Sequence, residues 1–178
     1  MATSSWQTVV GELSSADVSV SPAALALVHS ANRVFVAGAG RSGLAIQAFA
    51  MRLGQLGKPV TVVGETTAPA FTAADLLIVA SGSASTPSIV ALVEKATKLG
   101  GQGWLLTATA DSDLARLVNH TTLLPGKGKF TNRTNTVQPM GSLFEQAVWL
   151  FGDAFTLAYM HQYQITESEM QKNHANLE

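Results

Sequence analysis

The chain has 178 residues, of which 11 are basic and 12 acidic, and it contains no cysteine. The near-neutral charge excludes the diffuse basic footprint of a nucleic-acid binder, and the missing thiols exclude disulfides, thiolate catalysis and Cys-based metal centres. Only 13% of the residues are charged, against about 25% in an ordinary soluble domain, so part of the surface is expected to be buried between subunits.

A chain of this length buries about 70% of its unfolded surface, enough for one sizeable core, and a single domain over residues 1–178 is expected. Met1 to Val10 has no basic segment followed by an apolar one, and no apolar run approaches the length of a bilayer span. The expected setting is cytoplasmic.

After a start mixing Ser, Thr, Ala and Val, Pro22 to Ser30 reads as a helix capped by Ser21. Val34 to Ala37 is a short apolar strand that runs into Gly38-Ala-Gly40-Arg-Ser-Gly43, and Leu44 to Leu56 is helical in composition. Val60 to Val63 and Leu76 to Ala80 are two further strands, the latter ending in Ser81-Gly-Ser-Ala-Ser-Thr86. Pro87 opens a helix to about Leu99, a fourth strand begins at Gly103, a short helix covers Asp113 to Val118, and Thr121 to Leu124 closes the pattern. Short apolar strands alternating with helices predict a parallel sheet covered on both faces, an α/β fold.

Beyond Pro125 the segment Gly126 to Thr136 is polar, and its Lys127, Lys129 and Arg133 can steer an anion or simply form a solvated loop. From about Met140 to Met160 an apolar helix follows, hydrophobic all round and expected to be buried between sheet and partner subunit. A last helix is expected after Thr166, with Glu169 at the reciprocal capping position.

The two glycine- and serine-rich turns carry the chemistry. Gly38-x-Gly40-x-x-Gly43 after a strand has the form of a dinucleotide-binding turn, but the nearest candidate for a ribose-binding carboxylate, Glu65, lies 27 residues after Gly38 rather than about 20. Ser81, Ser83, Ser85 and Thr86 present four hydroxyls at the mouth of a helix and suit one terminal phosphoryl group. An ordinary serine-capped turn would have the same composition. Arg41 beside Ser42 can contact a sugar hydroxyl or phosphate, or form a surface ion pair. Arg52, in the apolar setting of Phe49-Ala-Met-Arg-Leu53, points to a cleft or an interface.

These segments, with Gly64-Glu-Thr-Thr-Ala-Pro69, Asp75-Leu-Leu-Ile-Val79, Gln138-Pro-Met-Gly-Ser-Leu-Phe-Glu-Gln146 and His174-Ala-Asn-Leu-Glu178, resemble the 6-phospho-3-hexuloisomerase family of SIS (sugar isomerase) domains over nearly the whole chain. The resemblance implies a flavodoxin-like three-layer αβα sandwich around a five-stranded parallel sheet. It also implies a homotetramer with sites at subunit boundaries, where C-terminal helices close the site. The implied reaction interconverts D-arabino-3-hexulose 6-phosphate and D-fructose 6-phosphate in formaldehyde fixation by the ribulose monophosphate route, with neither metal nor nucleotide. The family turn usually reads Ser-Gly-Ser-Gly-Glu-Thr, and Ala84 and Ser85 depart from it while Ser81, Ser83 and Thr86 remain.

Moving a carbonyl between adjacent carbons needs one base that removes a proton and returns it to the neighbouring carbon, through an enediol(ate). Glu145, near the start of an apolar helix, fits that task, because a buried carboxylate is costly unless it is satisfied or used. The other reading is a structural glutamate paired with an arginine. His174 lies in a polar tail with no apolar stripe to hold it, and can shuttle protons if the tail folds over a cleft. His29, His120 and His161 lack carboxylate partners at ligand spacing, so no metal site is expected. A non-catalytic phosphosugar sensor is the alternative function.

Overall fold

The computed structural model describes residues 4–127 and 136–177. Five parallel strands form one sheet: β1 (Val34–Gly38), β2 (Val60–Val62), β3 (Leu76–Ala80), β4 (Gln102–Thr107) and β5 (His120–Leu123), in the order β2-β1-β3-β4-β5. Pairing is in register along β1 and β3, from Val34 opposite Leu76 to Gly38 opposite Ala80. The chain leaves β1 toward one edge to make β2 and returns to the other side to make β3. A switch point therefore lies between β1 and β3, and a crevice opens there at the carboxyl ends of the strands.

Side-chain alternation along each strand feeds two cores. Val34, Val36, Ile78, Trp104 and Leu106 face one side and pack against helices α2 (Pro22–Ser30), α3 (Arg41–Gln55) and α6 (Ser142–Tyr163). Phe35, Ala37, Leu77, Val79 and Leu105 face the other and meet α4 (Pro87–Lys98) and α5 (Asp113–Leu117). The predicted sandwich is present. Its aromatic centre is Trp104, wedged among Phe49, Phe151 and Phe155, with its indole N–H donating to Thr122 at 2.9 Å.

The expected caps are present at Ser21, whose side chain accepts from Ala24 N, and at Thr166, which forms a reciprocal box with Glu169 before α7 (Glu167–Lys172). One element differs from expectation. An unexpected first helix, α1 (Ser5–Ser14), starts at a Ser4–Gln7 capping box but buries no residue of its own and packs on α6. Within the single chain α6 buries the side that faces the sheet, while Trp149, Leu150 and Leu157 face outward beside the exposed Leu44 and Met51 of α3. Among the described residues no helix is long and apolar enough to cross a membrane.

Candidate active site

The turn after β1 is shaped by two close contacts. Gly40 has φ +59°, which turns the chain sharply into α3, so Arg41 and Ser42 open that helix rather than preceding it. A Cβ on Gly43 would stand 2.6 Å from the Gly38 carbonyl, so glycine lets the helix start press against the strand end.

The turn after β3 buries one of its hydroxyl residues and leaves Ser85 exposed. Ser81 is buried, and its Oγ lies 3.4 Å from Thr86 Oγ1, while Ser85 Oγ donates to Ser83 Oγ at 3.1 Å. Thr109 Oγ1 donates to the Gly82 carbonyl at 3.0 Å and Thr107 Oγ1 to the same oxygen at 3.3 Å, bracing the turn from β4. Sequence reading missed these two threonines, because only the sheet order brings the end of β4 beside the end of β3. Ala84 adopts φ +51°, a left-handed conformation uncommon for a residue with a side chain.

The third component is the start of α6. Met140 has φ +57°, Gly141 is the N-cap, and Glu145 N donates to the Gly141 carbonyl at 3.2 Å. The Glu145 side chain is 10% exposed and accepts from Arg41 Nε through Oε1. Glu145 Oε2 has no partner among the described residues, yet it is not sealed from solvent. The glutamate is thus paired with an arginine through one oxygen only.

These parts line one cavity of about 760 Å³ that includes Arg41, Ser42, Ser81, Ser83, Thr86 and Glu145, together with Lys127 and Ser142. The capping pattern distinguishes its walls. Helices α1, α2, α5 and α7 are capped by the side chains of Ser4, Ser21, Ser112 and Thr166. Helices α3, α4 and α6, whose first residues line the cavity, have no side-chain cap. Thr86 occupies the N-cap position of α4 without capping it, so the turn is not the ordinary capped one. Three helix N-termini without side-chain caps therefore turn their positive dipole ends to one space, an arrangement suited to an anion.

Two expected site residues lie elsewhere. Arg52 and His174 line a separate cleft of about 340 Å³ with Gln55, Trp149 and Asp153. Arg52 Nε donates to Asp153 Oδ1 at 3.0 Å and its Nη1 to Gln55 Oε1 at 3.0 Å. His174 Nδ1 lies 2.8 Å from the Ala175 carbonyl oxygen. The reason is helical rise: eleven residues return Arg52 to the face of α3 that carries Arg41, but about 16 Å along the axis. Glu65 is exposed and does not line the main cavity, Lys129 and Arg133 lie outside the described residues, and no cluster of three potential metal ligands occurs among the described ones.

The SIS domain model matches residues 27–150. A 3-hexulose-6-phosphate isomerase of Bacillus subtilis is 40% identical over 153 residues, covering 85% of this chain and 83% of that protein. One from Mycobacterium gastri is 42% identical over 147 residues, covering 82% and 74%. The crystal structure of a hypothetical protein from Methanococcus jannaschii, for which a 3-hexulose-6-phosphate isomerase function was inferred, superposes with a TM-score of 0.78 at 29% identity and covers 99% of this chain and 90% of its own. With the crevice at the β1/β3 switch point and the match spanning the sheet, the chain belongs to the SIS domain family and, within it, to the 6-phospho-3-hexuloisomerases.

Proposed function

We propose that this protein is a phosphosugar isomerase interconverting D-arabino-3-hexulose 6-phosphate and D-fructose 6-phosphate without metal or nucleotide. The observation that supports it is the meeting of three uncapped helix N-termini and a buried, half-engaged carboxylate in one cavity. The phosphate docks at the start of α4, where Ser81, Ser83 and Thr86 supply hydroxyl donors and the helix end supplies its dipole. Arg41 and Ser42 face the sugar.

Glu145 is the base. Its open oxygen takes the proton from C2 of the 3-ketose, the C–H electron pair forms the C2–C3 double bond and the C3 carbonyl pair moves onto O3. The O2 hydroxyl proton then passes to O3 as the carbonyl forms at C2, and the same carboxyl returns its proton to C3. The α3 and α6 termini stabilise negative charge that develops on the sugar oxygens.

The chain acts as a single-domain cytoplasmic homotetramer. The outward apolar residues Leu44, Met51, Trp149 and Leu157 form the subunit contact, and Arg52 and His174 serve a neighbouring subunit's site, with His174 moving protons during ring opening. The C-terminal helices then stand at the boundary where sites are completed.

The test supplies D-arabino-3-hexulose 6-phosphate and follows fructose 6-phosphate through coupled enzymes, for the wild type and for Glu145→Gln. Wild-type turnover is expected, with a loss of about 10²–10⁴-fold in the variant and fructose 6-phosphate binding retained. Unchanged turnover in the variant removes the base assignment. Binding without wild-type turnover makes the protein a sensor.

A further inference from the structure

α1 lies outside the matched residues 27–150, yet it reaches the connection that launches α6. Glu12 Oε2 accepts from Thr136 Oγ1 at 2.6 Å and from Gln138 Nε2 at 2.8 Å, and Oε1 accepts from Val137 N at 2.8 Å. Thr136 Oγ1 in turn accepts from Gln138 N at 3.0 Å. Thr136 and Gln138 are buried, so one carboxylate satisfies three donors, two of them on buried side chains. Burial alone would raise the Glu12 pKa, but these hydrogen bonds and the charge of Lys127 bring it below the usual carboxylate value.

This latch is joined to the site by the three residues after Gln138. Pro139 has a restricted φ, and Met140 is held at φ +57°, a left-handed conformation that a side chain adopts only where its surroundings impose it. Gly141 then caps α6, and Glu145 is the fourth residue of that helix. Met140, Gly141, Ser142 and Glu145 all line the main cavity. The strained residue is thus clamped between two anchors, α6 on one side and Glu12 on the other.

We propose that Glu12 is a positioning residue for Glu145: by fixing Thr136, Val137 and Gln138 it holds Met140 in its left-handed turn and sets where α6 begins. The proposal rests on the reading of Glu145 as the base. It gives the first helix a part in catalysis that involves no contact with substrate. It also accounts for Gln138 at the head of the Gln138–Gln146 motif, as the amide that meets this carboxylate.

The test is Glu12→Gln, which keeps shape but places an amide nitrogen where donors arrive, assayed with D-arabino-3-hexulose 6-phosphate well below the unfolding midpoint and scaled to folded protein. The expected result is a fall in kcat of about ten- to a hundredfold, the size of effect a displacement near 1 Å produces, with KM changed by less than about threefold. The double variant Glu12→Gln, Gln138→Glu exchanges amide and carboxylate and is expected to restore kcat to within about threefold of the wild type. A wild-type kcat in Glu12→Gln, or a double variant that regains the wild-type melting temperature but not kcat, overturns the proposal while leaving Glu145 in place. Full turnover in Glu145→Gln removes the base and this proposal with it.

Discussion

Arg33–Asp75 and Arg41–Glu145 each join an arginine to a buried carboxylate, the first at the amino end of the sheet and the second at the carboxyl end. Asp75, with a side chain 1% exposed, accepts from Arg33 Nε at 3.0 Å and Nη2 at 2.7 Å, from Thr72 N at 2.7 Å and from Thr72 Oγ1 at 2.9 Å. The same arginine also donates to the Ala70 carbonyl at 2.8 Å. Glu145 accepts from Arg41 through one oxygen, and that arginine is 74% exposed. A carboxylate with both oxygens committed is a structural tie between strands. A carboxylate held by one oxygen, with the other open beside uncapped helix ends, is oriented without being closed off, as the proposed base requires.

The largest effect should come from the closed pair. Asp75→Asn leaves Arg33 without its counter-charge and is expected to cost about 3 kcal/mol, the low end for a broken buried pair because Arg33 is 30% exposed. Urea denaturation at fixed protein concentration measures this, and kcat per folded molecule should not change. The pair also has a pH signature. Hydrogen bonding from Arg33, aided by Thr72, holds the Asp75 pKa below its ordinary 3.8 despite burial. The unfolded chain therefore binds the proton first. The stabilisation is complete above the ordinary value and is lost as pH falls through the lowered one. The wild type should lose stability between about pH 5 and 2 more steeply than Asp75→Asn, and parallel curves would break the contrast.

The open pair should respond in activity rather than stability. Arg41→Gln is expected to destabilise the fold less than Asp75→Asn does, because the arginine is largely exposed and it engages only one oxygen of Glu145. Its kcat should fall about ten- to a hundredfold as the carboxylate loses its orientation. If KM rises instead and kcat is kept, Arg41 works on the phosphosugar rather than on Glu145. Arg41→Lys keeps the charge without the Nε geometry and should recover only part of the loss.

Much of this contrast is written in local sequence. The Gly40 and Gly43 turn, the hydroxyls from Ser81 to Thr86 and the glutamate in the apolar helix each announce themselves within a few residues, because turn chemistry and helix entry are short-range properties. The pairing of Arg41 with Glu145, 104 residues apart, is not legible that way. It depends on the sheet order, which sets α3 and α6 side by side. Helix α1 escapes sequence reading for a related reason. Its capping box at Ser4 and Gln7 and its apolar stripe of Trp6, Val9, Val10 and Leu13 are local signals, but no residue of the helix is fully buried, and its polar anchors lie more than 120 residues away, at Thr136, Val137 and Gln138. Likewise helical periodicity puts Arg52 on the face of Arg41, and only the axial rise puts it in another cleft.

Arg52–Asp153 tests the contrast at its weak end. Both side chains are about half exposed, at 47% and 45%, so the ion pair itself is worth little in water. Asp153→Asn should therefore leave both stability and turnover within about twofold of the wild type. Arg52→Gln should be just as mild for stability, since it removes the same pair. If Arg52 also contacts a phosphosugar bound in a neighbouring subunit, only the arginine variant should lose kcat/KM, by about tenfold or more for one lost charge-assisted hydrogen bond. Equal, small effects of the two variants would make the pair a surface ornament of α3 and α6. A loss confined to Arg52→Gln would instead mark a third class of arginine, one whose visible partner in a single chain is not the partner it serves in the assembly.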